Sequence, residues 1–500
     1  MGRLHPSTPV ERAQWTAYML AHEGDYGIVT QLSRQHQVSR PTLYAWREMA
    51  QAALRSAFSP HSTPALPALT ERQVLTLWIT HASQRGIQHA MAELLQRGLS
   101  LDTISTVLAE AGRRAQTWMQ THLPDSVRAL ALDEIYANDR RGAYLNVVDV
   151  HSGAVWASAG PLAVDTDSWT LLLWELQERG LCWDRVVGDQ GAALQAACRL
   201  VTPDLPFQGD QWHVLHTCAQ VQARLDRPLR HLSDQTAVVE RQAARVAAGG
   251  RPKGRRPKTD VAAHAQDVAA AQRVAEGVRF LTQELRRLLD VVVLDRRGLL
   301  TAAQRQGDLQ AALDLLATVA DAAPVPQQDQ VRWLHAHLIA ALPSLLTFVA
   351  QVDQVQQDLV RVLPPERQAL LGWAWLRRKR LGWRSRDILA ALPAAWRDAA
   401  RVLLATWDDA VRVSSAVERW HSILRPHLAV HRTLSPGMLA LLAVWHNHRV
   451  FTRGVHKGKS PLHLSGMTDT PDDWLVALGY PPATEAVILA LPAPKEALAA

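Results

Sequence analysis

The sequence predicts a mostly helical α+β protein in which a small mixed β-sheet is preceded and followed by helical segments. Three short apolar runs, separated by turn residues, lie between residues 127 and 159 and are typical of strands. Most other segments carry apolar residues three or four positions apart, which is typical of helices with one buried side. The chain has 500 residues, of which 48% are hydrophobic and 20% charged, so it can form more than one core.

Charge and cysteine content narrow the functional class. The net charge is +7 and the isoelectric point is about 9.6, which favours a polyanionic partner such as nucleic acid, although a solvated basic surface gives the same charge. Cys182, Cys198 and Cys218 are too few and too irregularly spaced for a disulfide framework. The sequence contains no run of 18 uncharged apolar residues and no apolar N-terminal signal segment. We therefore expect a cytoplasmic protein.

Residues 1–58 are predicted to form a helix-turn-helix DNA-binding domain. Residues 27–36 and 39–47 both have helical spacing, Ser39 can cap the second helix, and Pro41 is tolerated in its first turn. The exposed side of the second helix carries side chains suited to phosphates and base edges, namely Arg40, Thr42, Tyr44 and Arg47. A helical pair that makes no DNA contact is the alternative.

A second helical segment is predicted over residues 65–123, after a Pro/Ser-rich linker at 59–64. Residues 86–95 and 101–108 have helical spacing, and Ser100 can cap the second helix. This pair could form another helix-turn-helix unit. Plain helical packing is the equal alternative, because the exposed positions include Asp102 and Glu110 and only Arg113 and Arg114 follow.

The sheet is predicted to begin as a three-stranded meander and to continue after a helix. The expected strands are 127–135, 143–150, 154–159 and 183–188, with helices at 167–179 and 192–200. His151, Ser152 and Gly153 supply the turn between the second and third strands. This order places one acid on the first strand and another directly after the fourth, which is the layout of an RNase H-like domain.

Asp133 and Asp189 are the acids at these strand ends. Asp133 and Glu134 are expected to point to opposite faces of the sheet, so that only one of them can join a cluster. We favour Asp133, which shares a face with the small Ala131, and Asp149 on the second strand is its rival. Together with Glu418, Asp133 and Asp189 could hold a pair of divalent cations of the kind that promotes phosphoryl transfer.

Residues 417–425 are predicted to form a helix that ends at Pro426. Along one side this helix carries Glu418, His421, Ser422 and Arg425. We expect Arg425 to contact a DNA phosphate, with a surface ion pair as the alternative. A further helix at 434–450 is expected to be a buried structural helix that closes the site from behind.

Four motifs, in this order and spacing, resemble the DDE transposases of bacterial insertion sequences. They are Leu132-Asp133-Glu134, Gly188-Asp189-Gln190-Gly191, Asp210-Gln211-Trp212-His213 and Ser415-Ala416-Val417-Glu418-Arg419. The third is similar to an Asp/Cys-x-x-His element of hAT and Mutator-like transposases, which also carry a helical insertion before the catalytic Glu. The resemblance covers most of the chain apart from the last thirty or so residues.

The resemblance implies an enzyme that cleaves DNA at element ends and joins the freed 3′-hydroxyl to target DNA. Asp133, Asp189 and Glu418 would be both the catalytic residues and the ligands of two Mg²⁺ ions, which Mn²⁺ could replace. Asp210 would support the catalytic pocket, and His213 would contact the scissile strand. The implied partners are double-stranded DNA and further copies of the chain, at least a homodimer, associated with the nucleoid in a bacterial cytoplasm.

The resemblance also predicts the domain order. The predicted domains are residues 1–58 (helix-turn-helix), 65–123 (second helical segment), 125–216 (first part of the catalytic core), 217–406 (all-α insertion), 407–465 (C-terminal helices of the core with Glu418) and 466–500 (C-terminal tail). Prolines are expected to break the insertion helices at Pro324, Pro326, Pro343 and Pro364-Pro365.

The insertion contains two basic clusters that could contact a phosphate backbone. The Gly/Pro-rich stretch 249–258 cannot be a regular helix, and a solvated loop is its alternative. The second cluster comprises Arg377-Arg378-Lys379-Arg380 with Arg384 and Arg386, near Trp373, Trp375 and Trp383. In this second cluster, one tryptophan in the core and one at its rim is the alternative to base contacts.

Alternative interpretations remain for one group of residues and for the whole chain. Asp210, His213, His216 and Cys218 have the composition of a zinc site, but their irregular spacing within one helix start disfavours tetrahedral binding. A capped helix with a hydrogen-bonded histidine would explain the same residues. For the whole chain, a transposase-derived DNA-binding regulator without activity and a structure-selective RNase H-like nuclease are the alternative functions.

Overall fold

The computed structural model describes residues 8–57, 68–137, 142–254, 258–381, 387, 390–454 and 456–483. Internal packing divides the chain into two units. The terminal unit comprises Met1–His122, Pro426–His463 and Met467–Ala500, and the central unit comprises Leu123–Arg425 and Leu464–Gly466. Within the described residues no single helix is long and apolar enough to cross a membrane, although the bent pair Gln327–Leu345 and Thr347–Asp358 together has the length and composition.

The described part of the terminal unit is helical. Its helices are α1 (Pro9–Ala21), α2 (Ile28–His36), α3 (Arg40–Ala57), α4 (Ala68–Ile79), α5 (Gln84–Leu95) and α6 (Leu101–Thr121). Three more helices follow the central unit in the chain, which we number α18 (Pro436–His448), α19 (Pro461–Leu464) and α20 (Trp474–Ala477).

The two helices expected at 27–36 and 39–47 are confirmed as α2 and α3. Gln37 forms the turn between them with φ of 53°, and the Ser39 hydroxyl accepts a hydrogen bond from the backbone N–H of Thr42 at 3.2 Å, as a cap should. Helix α1, which sequence reasoning missed, completes a three-helix cluster. Its small core is formed by Met19, Leu32 and Leu43, with Ile28, Val29, Val38 and Trp46 packed around it.

Helix α6 is a buried helix of the terminal unit. Ser100 caps it as expected, because its hydroxyl accepts from the backbone N–H of Thr103 at 3.0 Å. Gly112 of α6 faces Gly437 of α18 so closely that an added Cβ would lie 3.0 Å from the Gly437 backbone. The predicted helix at 434–450 is therefore a buried structural helix, α18, and its packing partner is α6.

The central unit contains the mixed five-stranded sheet. Its strands are β2 (Leu130–Tyr136), β3 (Ala143–Asp149), β4 (Val155–Leu162), β6 (Val186–Gly188) and β7 (Phe207–Gly209), in the order β4-β3-β2-β6-β7. The first three pair antiparallel, as the predicted meander requires, whereas β6 and β7 continue the sheet parallel to β2. The Gly153 turn between β3 and β4, with φ of 77°, is also confirmed.

Two strand predictions need correction. The expected strands 127–135 and 183–188 each divide in two, because β1 (Ser126–Val127) and β5 (Cys182–Trp183) pair with each other in a separate ladder. Strand β7 was not predicted at all. It is only three residues long, and at that length no period-2 alternation can develop.

Helices α7 (Thr166–Glu178) and α8 (Ala192–Val201) confirm the two helices expected between and after the strands. The Asp165 carboxylate caps α7 by accepting from the backbone N–H of Ser168 at 2.8 Å. The chain leaves α7 at Gly180, whose φ of 92° favours glycine. Helix α7 packs on β4 and on α8.

Residues 211–408 are helical over most of their described positions. The helices are α9 (Gln211–Ala247), α10 (Val261–Leu288), α11 (Ala302–Asp321), α12 (Val325–Leu345), α13 (Thr347–Asp358), α14 (Pro365–Leu376), α15 (Arg378–Leu381) and α16 (Ala394–Asp408). One apolar core is shared by the four helices α9, α10, α11 and α12, and another is shared by α13, α14 and α16. The expectation of an all-α insertion was wrong in one place, where β8 (Leu294–Asp295) and β9 (Gly298–Leu299) form a short hairpin.

Prolines end helices less strictly than predicted. Pro324 and Pro364 directly precede α12 and α14, as expected, but Pro343 lies inside α12. Likewise the helix with Glu418, α17 (Ser415–Val430), continues through Pro426. Leu424 and Leu428 are buried on either side of Pro426, so packing outweighs the hydrogen bond that the proline cannot donate.

Candidate metal centre

The strand register brings Asp133 and Asp189 together. Strands β2 and β6 are parallel, and their last paired residues are Leu132 and Gly188. Asp133 follows Leu132 and Asp189 follows Gly188. Because the two strands run in the same direction, both acids lie at the same edge of the sheet. The close strand contact depends on Gly188, because an added Cβ would lie 3.1 Å from the Leu132 carbonyl oxygen and 2.7 Å from the Leu194 side chain.

Asp133 is the common member of two acidic clusters. Its carboxylate lies in one group with Asp189 and Glu134, and in a second group with Glu418 and His421. Within each group one ligand atom per residue lies within 4.8 Å of the others. Asp133 itself is only 5% exposed, and its Oδ1 accepts from the backbone N–H of Glu134 at 2.9 Å. The other two acids singled out in the sequence, Asp189 and Glu418, therefore both lie near the buried carboxylate of Asp133.

Glu134 corrects an expectation. Strand alternation predicted that only one of Asp133 and Glu134 could join the cluster, yet both carboxylates lie near Asp189. The reason is that pairing with β6 ends at Leu132, so the edge beside residue 134 is open on that side. The longer glutamate side chain can then reach the carboxylate that follows the shorter strand.

Burial makes the carboxylates hard to ionise without a counter-charge. Burial, together with repulsion from Glu134, Asp189 and Glu418, raises the pKa of Asp133 to about 8. The pKa of Glu134 is raised to about 7, again mainly by burial and then by Asp189. Such a cluster attracts divalent cations, because a cation offsets both the desolvation and the mutual repulsion.

His421 is part of the centre and was not assigned to it from the sequence. It is 1% exposed, and its Nδ1 lies 3.8 Å from Asp133 Oδ2 and 3.9 Å from Glu418 Oε1. Burial lowers its pKa to about 4, so the ring is neutral near pH 7. The sequence signal was its position three residues after Glu418, which places both on one side of a helix.

Asn146 was also missed. It lies directly opposite Asp133 in the β2–β3 pair, is fully buried, and faces His421 Nε2 with its amide nitrogen at 3.1 Å. A lone amide within the apolar run of β3 was the available signal, because a buried polar side chain needs partners.

The rival acid Asp149 lies at the other end of β3, paired with Leu130. Its carboxylate accepts from the backbone N–H groups of His151 at 3.0 Å and Ser152 at 3.3 Å. These bonds hold the turn before β4. Asp149 thus serves the turn and does not join the acidic clusters.

Arg425 pairs with Glu418. Its guanidinium donates to Glu418 Oε2 at 2.9 Å, seven residues along α17, and its side chain is 55% exposed. This is the surface ion pair that the sequence left open as an alternative. The exposure also leaves the guanidinium accessible to a larger anion beside the acids.

Asp210 joins the start of α9 to the residue before α17. The carboxylate is 2% exposed and accepts from the backbone N–H of Trp212 at 2.7 Å and of Ser414 at 3.0 Å, as well as from the Ser414 hydroxyl. Ser414 directly precedes α17, the helix of Glu418. His213 lies beside Asp210, with Nε2 at 3.9 Å from Oδ2.

The remaining residues of the zinc-like set lie apart along α9. Cys218 is fully buried in the core formed by α9 to α12, where burial raises its pKa to about 11. His216 is exposed, and its ring stacks on Trp212 at 4.7 Å between centroids. The arrangement matches the capped-helix interpretation, with Asp210 as the cap of α9.

The predicted DNA-contact residues of α3 differ in accessibility. Arg40 is exposed, and Tyr44 is 43% exposed with the Arg47 guanidinium 5.1 Å above its ring. The Thr42 hydroxyl lies 2.6 Å from the capping Ser39 hydroxyl, so it is partly engaged within the helix start. Arg40 and Tyr44 are thus the exposed part of this surface, and Arg47 is half-buried.

The second helical segment engages its basic residues internally. Arg113 and Arg114 both pair with Glu110 at 2.7 Å, and the Arg114 guanidinium lies over the Tyr480 ring. These contacts match the packing alternative for α5 and α6.

The two basic clusters at 249–258 and 377–386 are only partly within the described residues. Residues 249–254 are non-helical and include Gly249 with φ of 78°, whereas 255–257 lie outside the described residues. In the other cluster, Trp375 is 7% exposed and Trp373 is 38% exposed, so one is in the core and one at the rim. The Arg377 guanidinium lies over the Trp373 ring, and the Arg378 guanidinium lies over the Trp375 ring. Trp383, Arg384 and Arg386 fall outside the described residues.

Comparison with known proteins gives no relative from which to assign this centre, since no family model and no curated protein matches the chain.

Proposed function

We propose that the chain is a DDE-type DNA transposase that binds element ends, cleaves them and joins the freed 3′-hydroxyl to target DNA. The observation that carries the proposal is the position of Asp133 in two acidic clusters, one with Asp189 and one with Glu418. Two cation sites that share one carboxylate are the arrangement used for in-line displacement at a phosphodiester.

The sheet supports an RNase H-like core for this proposal. Three antiparallel strands followed by two parallel ones, with acids at the end of β2 and directly after β6, agree with the order expected for that fold. The third acid arrives on α17, after the helical insertion. Its location is supported by Asp210, which fixes the residue just before α17.

The donor set suits Mg²⁺ or Mn²⁺. Asp133, Asp189, Glu134 and Glu418 offer carboxylate oxygens, which hard divalent cations prefer. Asp133, Asp189 and Glu418 would hold the cations, and Asp133 belongs to both acidic clusters. When bound, the cations would lower the pKa of water and offset charge on the phosphate.

The other residues have roles that need no cation. Arg425, which pairs with Glu418 and is half exposed, would bind a phosphate of the DNA end. The exposed Arg40 and Tyr44 of α3, with Arg47 over the Tyr44 ring, would bind the duplex. Because two DNA ends must be joined in one reaction, we propose that the chain acts as a homodimer or larger assembly on DNA.

The test is an assay of cleavage and strand transfer on a labelled duplex from the ends that flank the encoding locus. We expect Mg²⁺- or Mn²⁺-dependent 3′-ends that join to a plasmid, and loss of both products in Glu418→Gln with DNA binding retained. Nicking without joining would favour a structure-selective nuclease. Specific binding without cleavage by the wild type would favour a DNA-binding regulator.

A further inference from the structure

The amide of Asn146 lies at the centre of a buried hydrogen-bond network beside the acids. Its Oδ1 accepts from the Trp420 indole N–H at 2.8 Å and from the Ser158 hydroxyl at 2.8 Å. Its Nδ2 donates to the Tyr144 carbonyl oxygen at 2.8 Å and lies 3.1 Å from His421 Nε2. The amide therefore has a partner on every side.

These partners fix which end of the amide faces His421. An indole N–H can only donate and a backbone carbonyl can only accept. Exchanging the amide oxygen and nitrogen would set Nδ2 against the Trp420 N–H and Oδ1 against the Tyr144 carbonyl. Both contacts would be repulsive in a fully buried place. The amide nitrogen must therefore face His421.

The proton of the His421 ring follows from this orientation. Since Asn146 Nδ2 donates, His421 Nε2 must accept, and a neutral imidazole with an accepting Nε2 carries its hydrogen on Nδ1. Nδ1 lies 3.8 Å from Asp133 Oδ2 and 3.9 Å from Glu418 Oε1. At these distances the N–H is a fixed dipole beside both carboxylates.

We propose that His421 is a positioning residue that presents Nδ1–H to Asp133 and Glu418 and is not itself a metal ligand. The inference rests on the proposed metal centre. Ligation through Nδ1 would need a lone pair there and a hydrogen on Nε2, which would face the Asn146 N–H. Asn146, the Trp420 indole and the Tyr144 carbonyl thus select the donor role, in which the N–H offsets repulsion between two acids and orients them.

The first measurement uses the full-length, metal-free protein with ¹⁵N-labelled histidine. Nitrogen chemical shifts distinguish a ring nitrogen that carries hydrogen from one that does not, and the His421 signals are those absent from His421→Gln. We expect hydrogen on Nδ1. Hydrogen on Nε2 would overturn the proposal whatever the protein catalyses.

The second measurement is pulsed electron paramagnetic resonance of Mn²⁺ bound to the same labelled protein. We expect Mn²⁺ without a directly bound histidine nitrogen, and Mn²⁺ binding about 10- to 100-fold weaker in His421→Ala. A directly bound nitrogen that disappears in His421→Gln would overturn this proposal and leave the metal centre intact. Absence of Mn²⁺ binding would overturn the metal centre, and this inference with it.

A matched variant should move the hydrogen of the His421 ring from Nδ1 to Nε2. Asn146→Asp places an accepting carboxylate oxygen opposite His421 Nε2, so we expect hydrogen on Nε2 and a histidine nitrogen newly bound to Mn²⁺. Unchanged ring signals in a variant with the wild-type circular dichroism spectrum would contradict the role given to Asn146. If the variant does not fold, the two wild-type measurements still decide the proposal.

Discussion

The carboxylate of Asp210 accepts a hydrogen bond from the backbone N–H of Ser414 at 3.0 Å, although 204 positions separate them in the chain. Asp210 follows β7 and caps α9, and Ser414 directly precedes α17. The starts of α9 and α17 thus meet at one buried carboxylate. That contact holds the residue directly before the helix that carries Glu418.

Removing this contact should disturb the centre more than the fold. Because Asp210 makes several charge-assisted hydrogen bonds, we expect Asp210→Ala to lower the free energy of unfolding by about 2–4 kcal/mol. A displaced Glu418 should slow cleavage by about 100-fold. Urea unfolding and the cleavage assay measure the two effects.

Asp210→Asn should fall between the wild type and Asp210→Ala, since its amide oxygen can still accept from Ser414. The exposed Asp204 gives the control, and Asp204→Ala should match the wild type. Full cleavage activity in a folded Asp210→Ala protein would contradict the role of this contact.

The acidic cluster predicts an unusual dependence of stability on pH. The pKa values of Asp133 and Glu134 are about 8 and about 7 in the folded protein, above the usual values of 3.8 and 4.5. Folding therefore favours their protonated forms. The associated stability is present in full below the usual pKa values, declines as the pH rises above them, and is lost once the pH has passed the folded values of about 7 and about 8. We expect the melting temperature of metal-free protein to fall from pH 6.5 to about 8 and to level off towards pH 8.5.

Asp133→Asn should flatten that decrease, because it removes the buried charge, and Mg²⁺ should restore more stability at pH 8.5 than at pH 6.5. The lowered pKa of His421, about 4, acts at more acidic pH and does not offset this trend. Differential scanning calorimetry with a chelator and with Mg²⁺ measures both effects. A metal-free melting temperature that rises over this range would be inconsistent with the cluster described above.

Strand register and turn chemistry made much of the centre predictable. Asp133 and Asp189 each follow an apolar run, so their convergence at one sheet edge could be expected from the sequence. The position of the Glu134 carboxylate near Asp189 could not be predicted, because it depends on the residue at which β6 stops pairing with β2. The continuation of α17 through Pro426 likewise depends on burial of Leu424 and Leu428, which outweighs a local helix-breaking signal.

Arg40 and Arg47 of α3 should contribute to DNA binding through phosphate contacts. We expect Arg40→Ala and Arg47→Ala each to weaken binding to an element-end duplex. Each should also make the negative slope of log affinity against log salt concentration less steep, by about 0.9. Fluorescence anisotropy at several salt concentrations measures both quantities.

Arg401→Ala is the matched control, because Arg401 is 68% exposed but lies on α16 of the central unit. It should leave the salt dependence unchanged. Equal losses from all three substitutions would indicate a general charge effect and argue against a specific α3 surface.

Replacing a proposed ligand by cysteine tests the central claim most directly. A thiolate binds Mg²⁺ poorly but binds Mn²⁺ better, since Mn²⁺ is the softer ion. We predict that Asp133→Cys loses strand cleavage by about 1000-fold in Mg²⁺, or ~4 kcal/mol in the barrier, and regains much of it in Mn²⁺. Asp133→Ala, which offers no ligand, should stay inactive in both ions. Equal activity of wild type and Asp133→Cys in Mg²⁺ would contradict a metal-binding role for Asp133 and with it the proposed centre.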